Sequence, residues 1–323
     1  MIHKPRSKPR ILLFNEAILG RIPANHPKVP MILDSINRHE AGYAGERKLD
    51  YYLEQLPQNY YQILQDLRLH NGHSFFQLDS FLLTMNTIIL VDSKNFAGKL
   101  DFDQHFDQLI QNAEIAYENP ILQGKLHARD MQNWLLTHQF PSVPIEYLVV
   151  LTNNNCLIQS VEDPATLFRV CRGRSVIGRI EGLTNQYANA PNVLSPEQCR
   201  QLIDLLLAKH TDPVYDLEKI YNISRSELKS GVHCPICLFL GCIYHRGKWI
   251  CPKCRCESNR AHVKALRDYY LLHGPSITNQ QFCEFLHFPS MGLSYKKLIS
   301  LNLPSTGPKK TRIYQLNWDI LQE

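Results

Sequence analysis

The sequence contains no long hydrophobic run. Its longest apolar stretches, residues 87–91 and 146–151, are far shorter than the roughly 20 residues that a membrane-spanning helix needs. The first residues are basic and rich in proline, and they lack the apolar core of a secretory signal peptide. Internal repeats and low-complexity tracts are also missing. We therefore expect no membrane partner and a cytoplasmic location.

The composition is that of a globular protein with sizeable hydrophobic cores. The chain has 323 residues, of which 44% are hydrophobic, and this length suits roughly two domains of about 150 residues each. It contains ten cysteines, and six of them fall between residues 234 and 256. Because the cytoplasm is reducing, we expect the clustered cysteines to bind a metal and not to form disulfides.

The charge is unevenly distributed along the chain. The formal net charge is +5. Residues 221–323 carry 14 Lys and Arg against 6 Asp and Glu, a net charge of +8, whereas residues 1–220 carry 21 against 24, a net charge of −3. A basic partner surface is therefore predicted in the C-terminal region, together with a short basic arm, HKPRSKPR, at residues 3–10. Such asymmetry points to nucleic acid, although a solvated basic face explains the charge alone equally well.

The order of apolar patterns predicts an α/β domain. Helical periodicity covers residues 31–56, and strand patterns cover residues 60–67, a hairpin at 77–100, and residues 146–153. Residues 103–138 have a helical pattern that Pro120 divides into two helices. Helices that flank four or five strands make an α/β domain. A polar helix near residues 208–230 is expected to follow it.

Two acids interrupt the apolar hairpin. Asp79 lies within one apolar strand and Asp92 ends the next, and unpaired buried charges cost several kcal/mol each. A divalent metal would compensate that cost. Strand alternation puts Asp92 and Lys94 on the same side, with Ser93 facing away. Oxygen ligands for Mg²⁺ beside a cation that orients water are what a metal-dependent phosphodiesterase needs.

A simpler interpretation is an ordinary exposed pair of Asp92 and Lys94 at a strand end. The D-x-K triplet alone favours it, because short motifs often match by chance. Gly42 and Gly45 in the first long helix indicate either a close backbone approach or ordinary helix packing. His127 by itself reads as a polar residue with satisfied hydrogen bonds. The surrounding sequence shifts the balance toward the metal site.

Four ordered blocks of sequence accompany the hairpin. They are AGYAGE at residues 41–46, QLDSFLLT at 77–84, VDSKNFAG at 91–98 and NPILQGKLH at 119–127, with the strand LVVLTN after them. Over roughly residues 30–180 the sequence resembles the nuclease-related domain (NERD) family, a branch of the restriction-endonuclease-like PD-(D/E)xK superfamily. The resemblance implies a mixed sheet flanked by helices, a nuclease activity, and Mg²⁺ or Mn²⁺ as cofactor.

The same resemblance assigns roles to five residues. Glu46, Asp79 and Asp92 are implied as metal-site residues, Lys94 as the catalytic lysine, and Gln123 as a helix residue that faces the site. Most family members carry Glu at the position of Asp92, although the superfamily pattern admits either acid. The shorter side chain of Asp92 draws its carboxylate back by one methylene.

The cysteine cluster has the spacing of a zinc ribbon. Cys234-x2-Cys237 and Cys251-x2-Cys254 are separated by thirteen residues, and paired knuckles of this kind hold one tetrahedral Zn²⁺. A closed site with four thiolates is structural and not catalytic. A hairpin turning at residues 246–247 is expected between the knuckles. Four further residues remain open as substitute ligands, namely Cys242, Cys256, His233 and His245.

The residues after the cluster have the order of a winged helix-turn-helix. A helix at residues 259–272 precedes a second helix capped by Thr278, and a candidate recognition helix follows with Ser294 as its cap. A basic wing is predicted at residues 307–312. The predicted nucleic-acid-binding residues are Lys296, Lys297, Lys309, Lys310 and Arg312. The alternative is a helical cap whose lysines are merely solvated.

The sequence therefore predicts a metal-dependent nuclease that is delivered to DNA by its C-terminal modules. The competing hypothesis is a DNA-binding regulator or adaptor whose nuclease-like domain is inactive. The predicted division of the chain is a basic arm and short helix at 1–29, the nuclease-related domain at 30–208, a linker helix at 209–230, the zinc ribbon at 231–258 and the winged-helix-like module at 259–323. Substrate structure, sequence preference and oligomeric state are left open by the sequence.

Overall fold

The chain folds into two compact units. The computed structural model describes residues 1–103, 106–160, 164–308 and 311–321. The first unit comprises Met1–Lys8 and Glu40–Asp212, and the second comprises Pro9–His39 and Pro213–Glu323. Helix α1 (Arg10–Leu19) lies in the second unit, while α2 (Val29–Leu53) gives its first residues to the second unit and the rest to the first. Within the described ranges, no helix combines the length and the apolar character that crossing a bilayer requires.

A mixed six-stranded sheet forms the centre of the first unit. The strands of this unit are β1 (Ile2–Lys4), β2 (Gln62–His70), β3 (Phe75–Leu83), β4 (Ile88–Lys94), β5 (Gly98–Asp103), β6 (Gln108–Gln111), β7 (Ile115–Glu118), β8 (Ile145–Leu151), β9 (Cys156–Ser160) and β10 (Val170–Arg172). The order in the large sheet is β1-β2-β3-β4-β8-β10, and β7-β6-β5-β9 form a second sheet. Strands β2, β3 and β4 are antiparallel, whereas β8 runs parallel to β4.

Helices cover both faces of the large sheet, as an α/β domain requires. The helices are α3 (Pro120–Thr137), α4 (Pro164–Arg169), α5 (Val176–Asn185) and α6 (Pro196–Lys209), with a 3₁₀ turn at Gly173–Ser175. Leu90 of β4 packs in one core with α3 and α6, while Val91 packs in another with α2 and α5. Successive side chains of β4 therefore point to opposite faces. The predicted mixed sheet flanked by helices is confirmed.

The helix predicted before Pro120 is wrong. The segment forms strands instead, because Asn112 and Ala113 adopt left-handed backbone angles (φ 55° and 59°) that turn β6 back onto β7. Asn119 then caps α3 by accepting a hydrogen bond from the Ile121 N–H, and Pro120 is the first helical residue. The proline therefore starts the only helix of this segment among the described residues.

Most of the basic arm, up to Lys8, packs as part of the first unit. Strand β1 pairs with β2, and His3 contacts Gln62 at 2.6 Å. Lys4 Nζ donates to the carbonyl oxygens of residues 65 and 66 at 2.9 and 2.7 Å. The Arg6 side chain is only 2% exposed. The basic groups of Lys4 and Arg6 are therefore used in contacts within the unit, and the partner surface of this stretch stays a prediction.

The second unit combines two small antiparallel sheets with helices. Its elements are α7 (Leu217–Tyr221), β11 (Ile243–His245), β12 (Lys248–Ile250), β13 (Glu257–Ser258), α8 (Ala261–His273), β14 (Ser276–Thr278), α9 (Asn279–Leu286), α10 (Met291–Ser300), β15 (Ser305–Thr306), β16 (Ile313–Gln315) and α11 (Trp318–Leu321), with a 3₁₀ turn at Arg225–Glu227. The sheets have the orders β11-β12-β13 and β14-β16-β15. Trp249 of β12 and Tyr314 of β16 share one core, so both sheets contribute to it.

A buried ion pair anchors the turn after α1. Arg21 is 0% exposed and contacts Asp268 of α8 at 3.0 Å, and its guanidinium also lies over the ring of Phe285. Removing one partner of such a pair costs about 3–5 kcal/mol, because the other charge stays buried and unpaired. The partners are far apart in sequence, which explains why no local pattern indicated the pair.

One of the two predicted helix caps is confirmed. Thr278 caps α9 and forms a capping box with Gln281. The prediction of Ser294 as the cap of the next helix is wrong, since Ser290 accepts a hydrogen bond from the Leu293 N–H and α10 begins at Met291. Ser294 is buried inside α10 and donates to Asn279 Oδ1 at 2.9 Å. The helix therefore starts a full turn earlier than the sequence suggested.

Candidate active site

The candidate site lies where the pairing of the central strands β3 and β4 ends. Their last backbone pair is Ser80 with Val91. Beyond that pair, the Asp79 carboxylate replaces the backbone of β3 as the partner of β4. It accepts hydrogen bonds from Ser93 N at 2.9 Å and Ser93 Oγ at 3.3 Å. On the other side, the pairing of β2 with β3 skips Asp79 and Asp66, and Asp66 has a left-handed φ of 53°. Local irregularity of this kind re-aims a side chain at the end of a ladder.

Lys94 connects the acid on its own strand to helix α3. Its Nζ lies 2.6 Å from Asp92 Oδ2 and donates to Gln123 Oε1 at 2.9 Å. Asp92 and Lys94 continue the side of β4 on which Leu90 faces α3. The two side chains therefore share a face, as the strand alternation predicts.

Two glycines let the helices approach the sheet at the residues implied in the site. A Cβ on Gly45, beside Glu46, would lie 2.7 Å from Thr152 Oγ1 and 2.8 Å from Asn95 Cβ. A Cβ on Gly124, beside Gln123, would lie 2.6 Å from a Tyr147 ring carbon. Gly42 has no such neighbour within 4 Å. Of the two explanations left open for these glycines, close approach holds for Gly45.

Arg6 joins the carboxylates of α2 to strand β3. Its NH1 donates to Glu46 Oε2 at 2.8 Å, and its Nε and NH2 donate to the two Asp50 oxygens at 2.9 and 3.1 Å. The NH2 group also donates to the Asp79 carbonyl at 2.6 Å and to Ser80 Oγ at 3.4 Å. Burial acts to lower the pKa of Arg6, but the hydrogen bond to Asp50 and the surrounding carboxylates hold it above its usual value. The guanidinium is therefore a permanent positive charge in the site.

The carboxylates are held in surroundings that disfavour their charged forms. Burial, followed by the neighbouring Asp79, raises the pKa of Asp92 well above its usual range. Burial and Asp79 also raise the pKa of Glu46, while Arg6 opposes that change. Burial acts to lower the pKa of Lys94, but Asp92 and Asp79 raise it above its usual value. A bound cation would remove the repulsion between these carboxylates.

A cavity of about 10 Å³ lies between the two strands and α3. Its lining includes Asp79, Asp92, Gly124, His127 and Tyr147. A cavity of this size holds about one water-sized occupant. The buried Asp92 Oδ2 has the Lys94 ammonium as its partner at 2.6 Å. The two carboxylates that line the cavity are the kind of ligand that a divalent cation prefers.

Only two of the three acids implied as metal ligands lie together at the cavity. Among the residues that the structure describes, Glu46, Asp79 and Asp92 do not form a set of three whose oxygens all lie within 4.8 Å of one another. The Glu46 carboxylate is instead ion-paired with Arg6 at 2.8 Å. Asp79 and Asp92 remain adjacent at the cavity, and they suit hard oxygen-preferring ions such as Mg²⁺.

The comparison with protein families adds an independent result. Residues 41–152 match the family model of the nuclease-related domain. The match contains all four blocks that carried the resemblance, so the predicted resemblance is confirmed over this range and indicates a nuclease-related function. No curated protein and no solved structure matches the chain.

Sequence reasoning missed two residues of the nuclease-related site. Arg6 lies in an arm that was interpreted only through its charge, and it is outside the matched range. His127 was interpreted as an ordinary satisfied residue, yet it lines the cavity beside the acids, and burial lowers the pKa of its ring. Its position one turn after Gln123 on α3 was the signal that could have placed it there.

The predicted zinc ligands come together in the second unit. The sulfurs of Cys234, Cys237, Cys251 and Cys254 all lie within 4.8 Å of one another. The closest pairs are Cys234 with Cys254 at 3.5 Å and Cys237 with Cys251 at 3.6 Å. Four sulfurs about 2.3 Å from a tetrahedral zinc ion are separated by about 3.8 Å, so the arrangement fits Zn²⁺.

Backbone N–H groups lower the pKa of two of these cysteine thiols and so favour their thiolate forms. The N–H groups of Cys237 and Ile236 point at Cys234 Sγ and lower the pKa of that thiol. Burial acts to raise the pKa of Cys251, but the N–H groups of Cys254 and Lys253 lower it. Thiolates are the zinc-binding form of cysteine.

The substitute zinc ligands left open by the sequence lie outside the set of four. They are Cys242, Cys256, His233 and His245. Cys242 is buried, and burial raises the pKa of its thiol to about 12. His233 instead contacts the carbonyl oxygen of Gly20 at 2.9 Å. The hairpin predicted between the knuckles is present, with left-handed angles at residues 246 and 247.

The predicted nucleic-acid-binding residues have different environments. Lys296 is exposed on α10, whereas Lys297 is half-buried in the last turn, and burial lowers its pKa. Arg312 is half-buried just before β16. Lys309 and Lys310 lie outside the described residues. Lys296 is thus the best placed of the described three for a partner.

Proposed function

We propose that the chain is a metal-dependent nuclease that hydrolyses phosphodiester bonds of DNA. The observation that carries the proposal is the position of Lys94, whose amino group lies between the Asp92 carboxylate and the Gln123 amide at the end of the central strands. The match of residues 41–152 to the nuclease-related domain supports it. A cation fixed beside two carboxylates is suited to phosphodiester hydrolysis and serves no evident packing purpose.

The acids and the lysine of the site would have different roles in the reaction. Asp79 and Asp92 would hold Mg²⁺ or Mn²⁺ with Glu46 nearby, and the ion would supply Lewis-acid stabilisation and a more acidic water. Asp92 and Gln123 hold the Lys94 ammonium in one place. From that place Lys94 orients the attacking water and offsets the negative charge that develops on the phosphate.

The second unit is proposed to deliver this site to DNA. The order α8, β14, α9, α10, β15, β16 with an antiparallel sheet supports a winged helix, in which α10 would enter the major groove. The four clustered sulfurs support a structural Zn²⁺. The net charge of +8 over residues 221–323 supports contact with phosphates. The cytoplasmic location stays a prediction.

The proposal is tested by cleavage of plasmid and single-stranded DNA with and without Mg²⁺. The wild type should cleave only with the metal, and Lys94→Ala should lose that activity. Lys99→Ala is the matched control, because Lys99 is an exposed lysine on the next strand, β5, and should leave cleavage unchanged. Binding of DNA by the wild type without any cleavage would contradict the proposal and favour the inactive adaptor.

A further inference from the structure

Arg6 reaches the candidate site from outside the family match. Five hydrogen bonds of its side chain go to α2 and β3, and they fix the Glu46 carboxylate, both Asp50 oxygens and the Asp79 backbone. Residue 6 precedes the matched range of 41–152, so the resemblance assigns it no role. Its burial exceeds that of every acid it contacts through a side chain: 2% of the arginine is exposed against 23% of Glu46 and 13% of Asp50.

The charges of the site leave room for one divalent ion. Among the described residues, the carboxylates that line the cavity or pair with Arg6 are Glu46, Asp50, Asp79 and Asp92, and the cations paired with them are Arg6 and Lys94. Four negative and two positive charges leave a net charge of −2. The nearby Asp66 has Lys4 as its own partner at 4.0 Å. One Mg²⁺ or Mn²⁺ balances this charge, and a second would leave an excess of +2.

We propose that Arg6 is a positioning residue that takes the place of a second metal ion and restricts the site to one divalent cation. This inference rests on the proposed function, since it concerns the same site. A guanidinium suits the role because it stays charged and donates in a fixed planar fork. It holds Glu46 on the α2 side, while the side chains of Asp79 and Asp92 remain at the cavity.

The test is a Mn²⁺ titration of the full-length, zinc-loaded chain, with unbound Mn²⁺ measured by electron paramagnetic resonance. The wild type should bind one Mn²⁺. Arg6→Gln removes the fixed charge and should bind a second Mn²⁺, or the first about tenfold more tightly. Arg6→Lys keeps the charge and should bind one. Lys99→Gln is the matched control, because it also removes one positive charge, at an exposed lysine of β5.

A second variant keeps the inference falsifiable if Arg6→Gln does not fold. Asp50→Asn removes one carboxylate but leaves the contact between Arg6 and Glu46, so the net charge becomes −1. Mn²⁺ should then bind severalfold more weakly, at unchanged stoichiometry. If the net charge set by Arg6 and its acids did not govern the binding of the ion, the Mn²⁺ affinity of both variants would stay at the wild-type value, and this result would overturn the inference.

Two outcomes separate the inference from the proposed function. Two Mn²⁺ ions on the wild type would overturn the role of Arg6 and leave the nuclease proposal standing. One Mn²⁺ on a wild type that cleaves no DNA would support the role of Arg6 and contradict the nuclease proposal. A wild type that binds no Mn²⁺ beyond its zinc overturns both.

Discussion

The two candidate metal sites of this protein are built in opposite ways. The thiolate site in the second unit takes all its ligands from residues 234–254, and its sulfurs already have the spacing of a zinc centre. The carboxylate site in the first unit draws on an N-terminal arm, two helices and two strands, and its acids are paired with the cations Arg6 and Lys94. The ligands of a structural metal site can all lie in one short sequence motif, whereas the residues of a reactive site come from distant segments that only the fold brings together.

The surroundings of the two sites also shift the pKa of their metal-binding groups in opposite ways. Backbone N–H groups lower the pKa of Cys234 and thereby favour its metal-binding form before the ion arrives. Burial and mutual repulsion raise the pKa of Asp92 and so disfavour its metal-binding form. We therefore expect the zinc to hold the second unit together, and the cation of the first unit to act on function much more than on the fold.

The largest expected effect is the loss of the zinc. Chelation, or Cys251→Ser, should unfold residues 221–323 while the strands of the first unit stay folded, because a structural zinc contributes about 10 kcal/mol or more of binding free energy. Trp249 packs in the core that contains the zinc-binding cysteines, so its fluorescence should shift on unfolding. Limited proteolysis with mass mapping would localise the change.

The matched control for the zinc prediction is Cys283→Ser. Cys283 is a half-buried thiol of the same unit that donates to the Phe288 carbonyl and lies outside the set of four. This variant should keep its zinc and its resistance to proteolysis. Elemental analysis that finds no zinc in the purified protein would contradict the assignment of a structural zinc to the four cysteines.

The second effect concerns the acids of the first unit. Asp79→Asn and Asp92→Asn should each lower Mg²⁺-dependent cleavage at least about 100-fold, because a catalytic metal supplies several kcal/mol and each 1.36 kcal/mol is a factor of ten. DNA affinity should stay near the wild-type value, and the melting temperature near neutral pH should change by no more than a few degrees. Asp34→Asn, at an exposed aspartate, should change neither. Strong unfolding of the two site variants with proportionate loss of cleavage would make these acids structural.

The third effect is on DNA affinity, which we expect to depend on the second unit. Replacing Lys296, Lys297, Lys309 and Lys310 by Glu should weaken binding and flatten the dependence of affinity on salt by about one unit of log–log slope for each lost phosphate contact. Lys99→Glu in the first unit should have little effect. Unchanged affinity and slope in the fourfold variant would mean that the predicted winged helix does not bind DNA.

The smallest effect is an opposite response of the two units to pH. Burial first, then nearby positive charges, lowers the pKa of His262 to about 3 and of His273 to about 4. Their contribution to stability is therefore present above the unfolded value of 6.5 and is lost as pH falls below it. In the first unit, burial raises the pKa of Glu46 to about 7 and of Asp92 to about 8, so Mg²⁺-free stability is lost as pH rises toward 8.

Calorimetry of the zinc-loaded, Mg²⁺-free protein between pH 5 and 8 would check these slopes. The two transitions should shift by a few degrees in opposite directions. His273→Phe should flatten only the slope of the second unit, and Asp92→Asn only that of the first. Parallel slopes in both units would show that these buried groups do not govern the pH dependence.

The parts of the protein that sequence could predict are those set by local rules. The zinc ligands follow from the spacing of two short motifs, and the shared face of Asp92 and Lys94 follows from strand alternation. Glu46 and Gln123 came only from the family resemblance, because their place beside the site depends on close helix packing at Gly45 and Gly124.

The errors arose where distant contacts or single turns decide the structure. Ser290 and Ser294 are both chemically suitable caps, and the hydrogen bond of Ser294 to Asn279 belongs to the tertiary fold. The strands before Pro120 depend on one tight turn at residues 112–113. Arg6 is separated from Glu46 and Asp50 by 40 or more residues of sequence, so no local pattern could predict these contacts.

The most direct test of the contrast between the two sites is anomalous diffraction from crystals of the zinc-loaded protein soaked in Mn²⁺, measured at the zinc and manganese absorption edges. We predict a zinc peak among the four cysteine sulfurs and a single manganese peak beside Asp79 and Asp92. Manganese absent from the carboxylates, or zinc in its place there with none at the cysteines, would contradict the assignment of a catalytic cation to the first unit and a structural one to the second.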